Sequence, residues 1–67
     1  MPKSTGLVKF FNPKKGYGFI IDDANNKEYF FHVTDLEKGQ VVITDSKVEY
    51  ELETKARGIV AVNVKNR

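Results

Sequence analysis

In Lys15-Gly16-Tyr17-Gly18-Phe19-Ile20-Ile21, two aromatic rings alternate with two glycines behind a lysine. On an extended chain, successive side chains point to opposite faces, so Lys15, Tyr17, Phe19 and Ile21 share one face and Gly16, Gly18 and Ile20 the other. Ile20 reads as core, and glycines beside it suit a tight bend or a close backbone approach. Tyr17 and Phe19 then project outward next to Lys15. Glu28-Tyr29-Phe30-Phe31-His32-Val33 repeats the arrangement: Phe30 and His32 on one face, Tyr29, Phe31 and Val33 on a more continuously apolar face that reads as core. Flat rings displayed to water beside lysines suit one chemistry well. They stack on the bases of single-stranded nucleic acid, at about 1–3 kcal/mol per base and for any base, while the ammonium groups follow the phosphates.

Other chemistries find little support. The chain of 67 residues has no cysteine and one histidine. Disulfides, a thiolate zinc site and a Cys nucleophile are excluded, and no histidine-paired nucleophile or metal-ligand cluster argues for an enzyme. No metal and no cofactor is expected, and His32 reads as a surface ring. The start, Met1-Pro2-Lys3-Ser4-Thr5-Gly6, is polar with no signal-peptide core behind it. The longest apolar runs, Phe19–Ile21 and Ile59–Val62, fall far short of the roughly 20 residues a membrane span needs. A soluble, cytoplasmic, monomeric protein is expected.

The rings need a scaffold, and the periodicity is β throughout. Lys47-Val48-Glu49-Tyr50-Glu51-Leu52-Glu53 alternates strictly, with Val48, Tyr50 and Leu52 on a buried face. Ile59–Val64 is rich in β-branched residues and follows Arg57-Gly58, so Glu53–Gly58 reads as a hairpin connection. A second hairpin joins Tyr17–Ile21 to Glu28–Val33 through Asp22–Lys27, whose asparagines tolerate positive φ. Leu7–Asn12 opens the set. Its Lys9-Phe10-Phe11-Asn12 breaks alternation, so one of the two phenylalanines faces out unless a bulge intervenes. A longer connection runs from about Asp35 to Ser46. Five short strands with no helix to cover a sheet face must curl on themselves, which predicts one all-β domain, residues 1–67, built as a small barrel. At this size a single core supplies only about 3–5 kcal/mol of net stability.

The formal charge of +2 hides a segregation. Met1–Ile21 holds four lysines and no acid, Asp22–Glu53 holds nine acids against three lysines, and Thr54–Arg67 again holds four basic residues and no acid. A fold that gathers the two ends makes a basic face suited to a polyanion.

The order and spacing of these pieces resemble the bacterial cold-shock proteins and the cold-shock domain. The match runs from about Gly6 to Val64 through Gly6-Leu7-Val8-Lys9-Phe10-Phe11-Asn12, Lys15-Gly16-Tyr17-Gly18-Phe19-Ile20 (similar to the RNP1 motif), Phe30-Phe31-His32 (RNP2), Arg57-Gly58 and Ala61-Val62-Asn63-Val64. The resemblance implies a five-stranded antiparallel OB-type barrel that binds single-stranded RNA and DNA and acts as an RNA chaperone. It implies base stacking by Phe10, Tyr17, Phe19, Phe30 and His32, with backbone or polar contacts from Lys9, Lys15, Arg57 and Asn12. It also puts Phe10 outside and Phe11 inside. Three positions depart from the family pattern. Phe10 stands where Trp is usual, Val33 where Phe often follows the RNP2 histidine, and Leu36–Gln40 and the residues after them lack the aromatic of the third loop. The expected footprint is accordingly smaller.

Two neighbouring readings fit less well. An RNA-recognition motif shares the RNP1 pattern but needs two helices and the reverse motif order. A barrel resembling SH3 domains, binding proline-rich peptides, calls for acids rather than lysines amid the rings.

Overall fold

The computed structural model describes residues 3–56 and 58–67, so Arg57, named above as a contact residue, lies outside the described residues. Five strands form: β1 (Ser4–Asn12), β2 (Tyr17–Asp22), β3 (Glu28–His32), β4 (Lys47–Lys55) and β5 (Gly58–Asn66). They close into a barrel in the order β1-β2-β3-β5-β4. β1 serves two neighbours at once, pairing with β2 from Gly6↔Asp22 to Asn12↔Tyr17 and with β4 from Ser4↔Tyr50 to Leu7↔Lys47. These ladders, β2–β3 and β4–β5 are antiparallel; the barrel closes between β3 and β5 through one parallel register pair, Phe30↔Val60. The expected barrel is therefore mixed at that seam. A second parallel bridge, Leu36↔Val64, seals the end below it.

A bulge in β1 resolves the Phe10/Phe11 ambiguity. Val8 pairs with Ile20 and Phe10 with Phe19, leaving Lys9 as the extra residue. One inserted residue reverses the alternation. Val8 points inward and is fully buried, Phe10 is turned out and 42% exposed, and Phe11 turns in to stack on Phe31 at 5.8 Å. Gly18 makes the crowded wall possible. A Cβ there would meet the carbonyl oxygen of Phe10 and come within 2.8 Å of the Phe31 ring.

Val8, Ile20, Phe31, Val48, Tyr50, Ala61 and Val64 fill the interior, joined by Val42 from the β3–β4 connection, which sequence periodicity left unassigned. Two residues expected inside are not. Val33 is 42% exposed because β3 ends at His32 and a 3-10 turn, Val33–Asp35, begins. Leu52 is 37% exposed. The β4–β5 ladder shifts register between Glu49 and Glu51, with Asn63 at φ 52° opposite the shift, and beyond it the hairpin runs past the barrel wall.

Asp22, which the sequence offered only as the first residue of the Asp22–Lys27 connection, is a buried structural group. It is 4% exposed. One carboxylate oxygen accepts from the Tyr50 hydroxyl and the other from the backbone N–H groups of Ala24 (2.8 Å) and Asn25 (3.3 Å). The Tyr50 hydrogen bond, helped by the two amides and opposed by burial, holds Asp22 below the ordinary carboxylate pKa. Burial and the adjacent carboxylate push the Tyr50 hydroxyl up. This one side chain caps the β2–β3 turn, where Asn26 supplies the positive φ of 58°, and pins that turn to β4.

Candidate nucleic-acid interface

Strand register builds the site. Phe10 lies opposite Phe19 and Phe19 opposite Phe30, so one row of outward rings crosses three strands, and at its end Phe30 is in register with Val60, which is buried. The next row is Asn12, Tyr17 and His32. Directly paired residues share a face, which is why residues far apart in sequence converge. The rings touch in a connected set: Tyr17 lies 6.0 Å from Phe10, 6.1 Å from Phe19 and 5.8 Å from Phe30, and Phe19 lies 5.8 Å from Phe30. Tyr17 and Phe30 are nearly parallel at 24°, whereas Phe19 stands edge-on to both, at 89° and 71°. Offset-stacked and edge-to-face pairs at these separations are both favourable, so the rings brace one another.

The polar candidates fall into different roles. Lys15 is exposed in the β1–β2 turn. Asn12 is half-buried, and its Oδ1 accepts from the Lys15 backbone N–H at 3.1 Å, so it shapes the turn that presents Lys15. Exposed His32 ends the second row, its Nδ1 accepting from the Thr34 backbone N–H at 3.2 Å and lying 3.0 Å from the Thr34 hydroxyl. Acceptance at Nδ1 leaves the ring proton of the neutral form on Nε2. The His32 backbone N–H donates to Asp35 Oδ2 at 2.9 Å, completing a reciprocal cap that fixes the ring at the end of β3.

Lys9 is not a bare cation. Its Nζ lies 3.1 Å from Glu28 Oε2 at the start of β3, with both side chains about half exposed (52% and 49%). Such a pair adds at most about 1 kcal/mol to stability, but it places an acid beside a lysine expected from the resemblance to contact nucleic acid. Sequence alone hid this, because Glu28 is 19 residues from Lys9 and only the β1–β2–β3 ladders unite them. Glu28→Gln is therefore expected to tighten oligothymidine binding about threefold and to steepen the log K against log salt slope by about 0.7, the increment for one further phosphate on a single strand. Fluorescence anisotropy across a salt series reads both, and an unchanged slope would count against Lys9 as a phosphate contact.

The acids of β4 are mostly turned elsewhere. Glu49 pairs with Lys65 at 3.1 Å, which lowers the carboxyl pKa, and Glu51 accepts from the Asn63 side chain at 2.6 Å. Glu53 is the exception: as the register partner of Val60, it closes the first row on its far side. Among the described residues no group of three or more His, Cys, Asp or Glu side chains could hold a metal ion, and no helix is long and apolar enough to cross a membrane.

Residues 4–67 match the family model of the 'Cold-shock' DNA-binding domain. The chain belongs to the cold-shock domain family. It is 42% identical over 64 residues to the cold shock-like protein CspG of Escherichia coli (strain K12), covering 92% of this chain and 91% of that one. With the cold shock-like protein CspJ of Salmonella typhimurium (strain SL1344) the identity is 39% over the same span. Among solved structures, the drosophila Unr CSD456 chain superposes with a TM-score of 0.81 over 98% of this chain, at 18% identity, and the match spans 27% of that longer chain. Membership makes this a nucleic-acid-binding domain of the cold-shock type.

Proposed function

We propose that the protein binds single-stranded RNA and DNA by stacking unpaired bases on Phe10, Tyr17, Phe19, Phe30 and His32, and so acts as an RNA chaperone in the cytoplasm, in cold adaptation or gene regulation. The supporting observation is the register row Phe10–Phe19–Phe30, which keeps three phenylalanines on the outer wall of a barrel short of core. Lys9 and Lys15, both exposed and close in sequence to Phe10 and Tyr17, are the cations that would meet phosphate. Arg57 belongs to the proposal through the resemblance alone.

The protein acts by binding, not by catalysis. A surface that holds unpaired bases and not paired ones shifts a hairpin equilibrium toward the open strand, by as much as its affinities for the two forms differ. No nucleotide hydrolysis is required. Stacking tolerates every base, so sequence preference must come from groups beside the rings.

Chemical-shift mapping with oligothymidine is the direct test. Perturbations are expected at Phe10, Tyr17, Phe19, Phe30 and His32 and not at Glu49, Glu51 or Lys65. With three or four phosphates neutralised, the slope of log K against log salt is expected at roughly −2 to −3. A salt-independent affinity, or shifts centred on β4, would overturn the proposal.

A further inference from the structure

The ring platform runs into a groove of about 370 Å³ at the β3–β5 seam. Phe30, His32 and Asp35 line one wall, and Lys55, Ile59 and Val60 the other. None of Asp35, Lys55, Ile59 and Val60 was a candidate binding residue in the sequence. The volume falls within the roughly 300–1,000 Å³ of small-molecule clefts. Apolar surface is plentiful, since Ile59 is 54% exposed although it lies in a strand. Such a slot, opening off a stacking surface, suits one flat base turned edge-on.

The polar groups decide which base. One Asp35 carboxylate oxygen accepts the His32 backbone N–H, which holds the side chain in place beside the groove that Asp35 lines and leaves its other oxygen without a protein partner among the hydrogen bonds of the described residues. An ionised carboxylate can only accept hydrogen bonds, and the Lys55 ammonium can only donate them. A phosphate is disfavoured there, with Asp35 in the wall and Glu53 next to Val60. Thymine and uracil offer one N–H flanked by two carbonyl oxygens, which oppose a carboxylate. Cytosine offers a single amino group beside an acceptor nitrogen. Guanine alone presents two adjacent donors, N1–H and the N2 amino group, beside the acceptor O6. That pattern matches a carboxylate with an ammonium nearby, and charge-assisted paired contacts of this kind are the strong ones.

We propose that the seam groove reads one guanine, with Asp35 accepting from N1–H and N2–H₂ and Lys55 donating to O6. The inference rests on the single-strand binding proposed above and adds to it a sequence preference that the stacking rings cannot supply. It makes Asp35 the specificity-determining residue, and Lys55 its complement.

The experiment compares octathymidine with the set of octamers carrying a single guanine at each position in turn, by fluorescence anisotropy at fixed salt, for the wild type and Asp35→Asn. Asparagine keeps an oxygen to accept the His32 N–H, so the local turn survives, which an amide correlation spectrum verifies. At one position guanine is expected to bind about tenfold tighter than thymine, the scale of a good paired base contact. Inosine there, lacking the N2 amino group, should bind between the two. In Asp35→Asn the guanine advantage should fall below about twofold, while octathymidine still binds. Guanine no better than thymine at every position, or an advantage that survives in Asp35→Asn, overturns the inference and leaves the stacking proposal standing. Failure of octathymidine itself to bind overturns both.

Discussion

Phe30→Ala is expected to weaken oligothymidine binding about 30- to 100-fold while the barrel stays folded. Phe30 is the hinge of the ring set: it is in contact with both Tyr17 and Phe19 and also lines the seam groove. Its removal takes away one stacking surface, at about 1–3 kcal/mol per base, and loosens two others. The core should tolerate the loss, because Phe30 is only half-buried and the interior neighbour on β3 is Phe31, fully enclosed. Phe19→Ala should act in the same direction with a smaller effect, its edge-on ring being flanked by two that remain. Anisotropy titration paired with thermal melting separates affinity from folding. A variant that unfolds, with unaltered affinity in its folded fraction, would mean that the outward face has been wrongly assigned.

The second large effect concerns stability. Asp22→Ala leaves the Tyr50 hydroxyl, on a side chain with no exposed surface, without its acceptor and strips two amides of their turn cap. An unsatisfied buried polar group costs about 1–3 kcal/mol, so with the cap the loss is about 3 kcal/mol. Against a net stability of about 3–5 kcal/mol for a domain this small, that leaves only about 0–2 kcal/mol, so between a few per cent and about half of the population unfolds. The melting temperature should fall by about 15 °C, given about 4–8 °C per kcal/mol at this chain length. The pH dependence has a definite sign. Asp22 titrates below its ordinary range when folded, and the unfolded carboxyl titrates near pH 4. Its contribution is therefore complete above about pH 4 and is lost as the pH falls through the lower, folded value. Asp22→Asn should flatten that acid limb in a urea-denaturation series taken at several pH values. An Asp22→Ala melting point within about 3 °C of the wild type would remove Asp22 from this role.

Strand type and order were legible in the sequence because short β-branched and aromatic runs alternate with turn residues, and Tyr17, Phe19, Phe30 and His32 follow from simple period-2 reading. Alternation failed where the register slips. At Lys9 a single extra residue decides that Phe10 faces out, and periodicity alone left that choice open. At Leu52 the shift opposite Asn63 and the overhanging hairpin expose a residue the pattern assigned to the core. Asp22 and Glu28 were illegible for a different reason. Each owes its role to a partner supplied by tertiary structure, Tyr50 in one case and Lys9 in the other, and an acid in a turn or at a strand start carries no local mark of such a partner. Val42 likewise lies in an irregular connection, where no period exists to read.

The seam between β3 and β5 has a mechanical consequence. β3 is held to β2 by five register pairs and β5 to β4 by seven, but among the described residues β3 meets β5 through Phe30↔Val60 alone, with Leu36↔Val64 following it. Even with that second bridge below it, this is the most lightly paired seam of the barrel, and the groove lies along it. The wall of the barrel where pairing is thinnest is also where a bound strand would add the most to it.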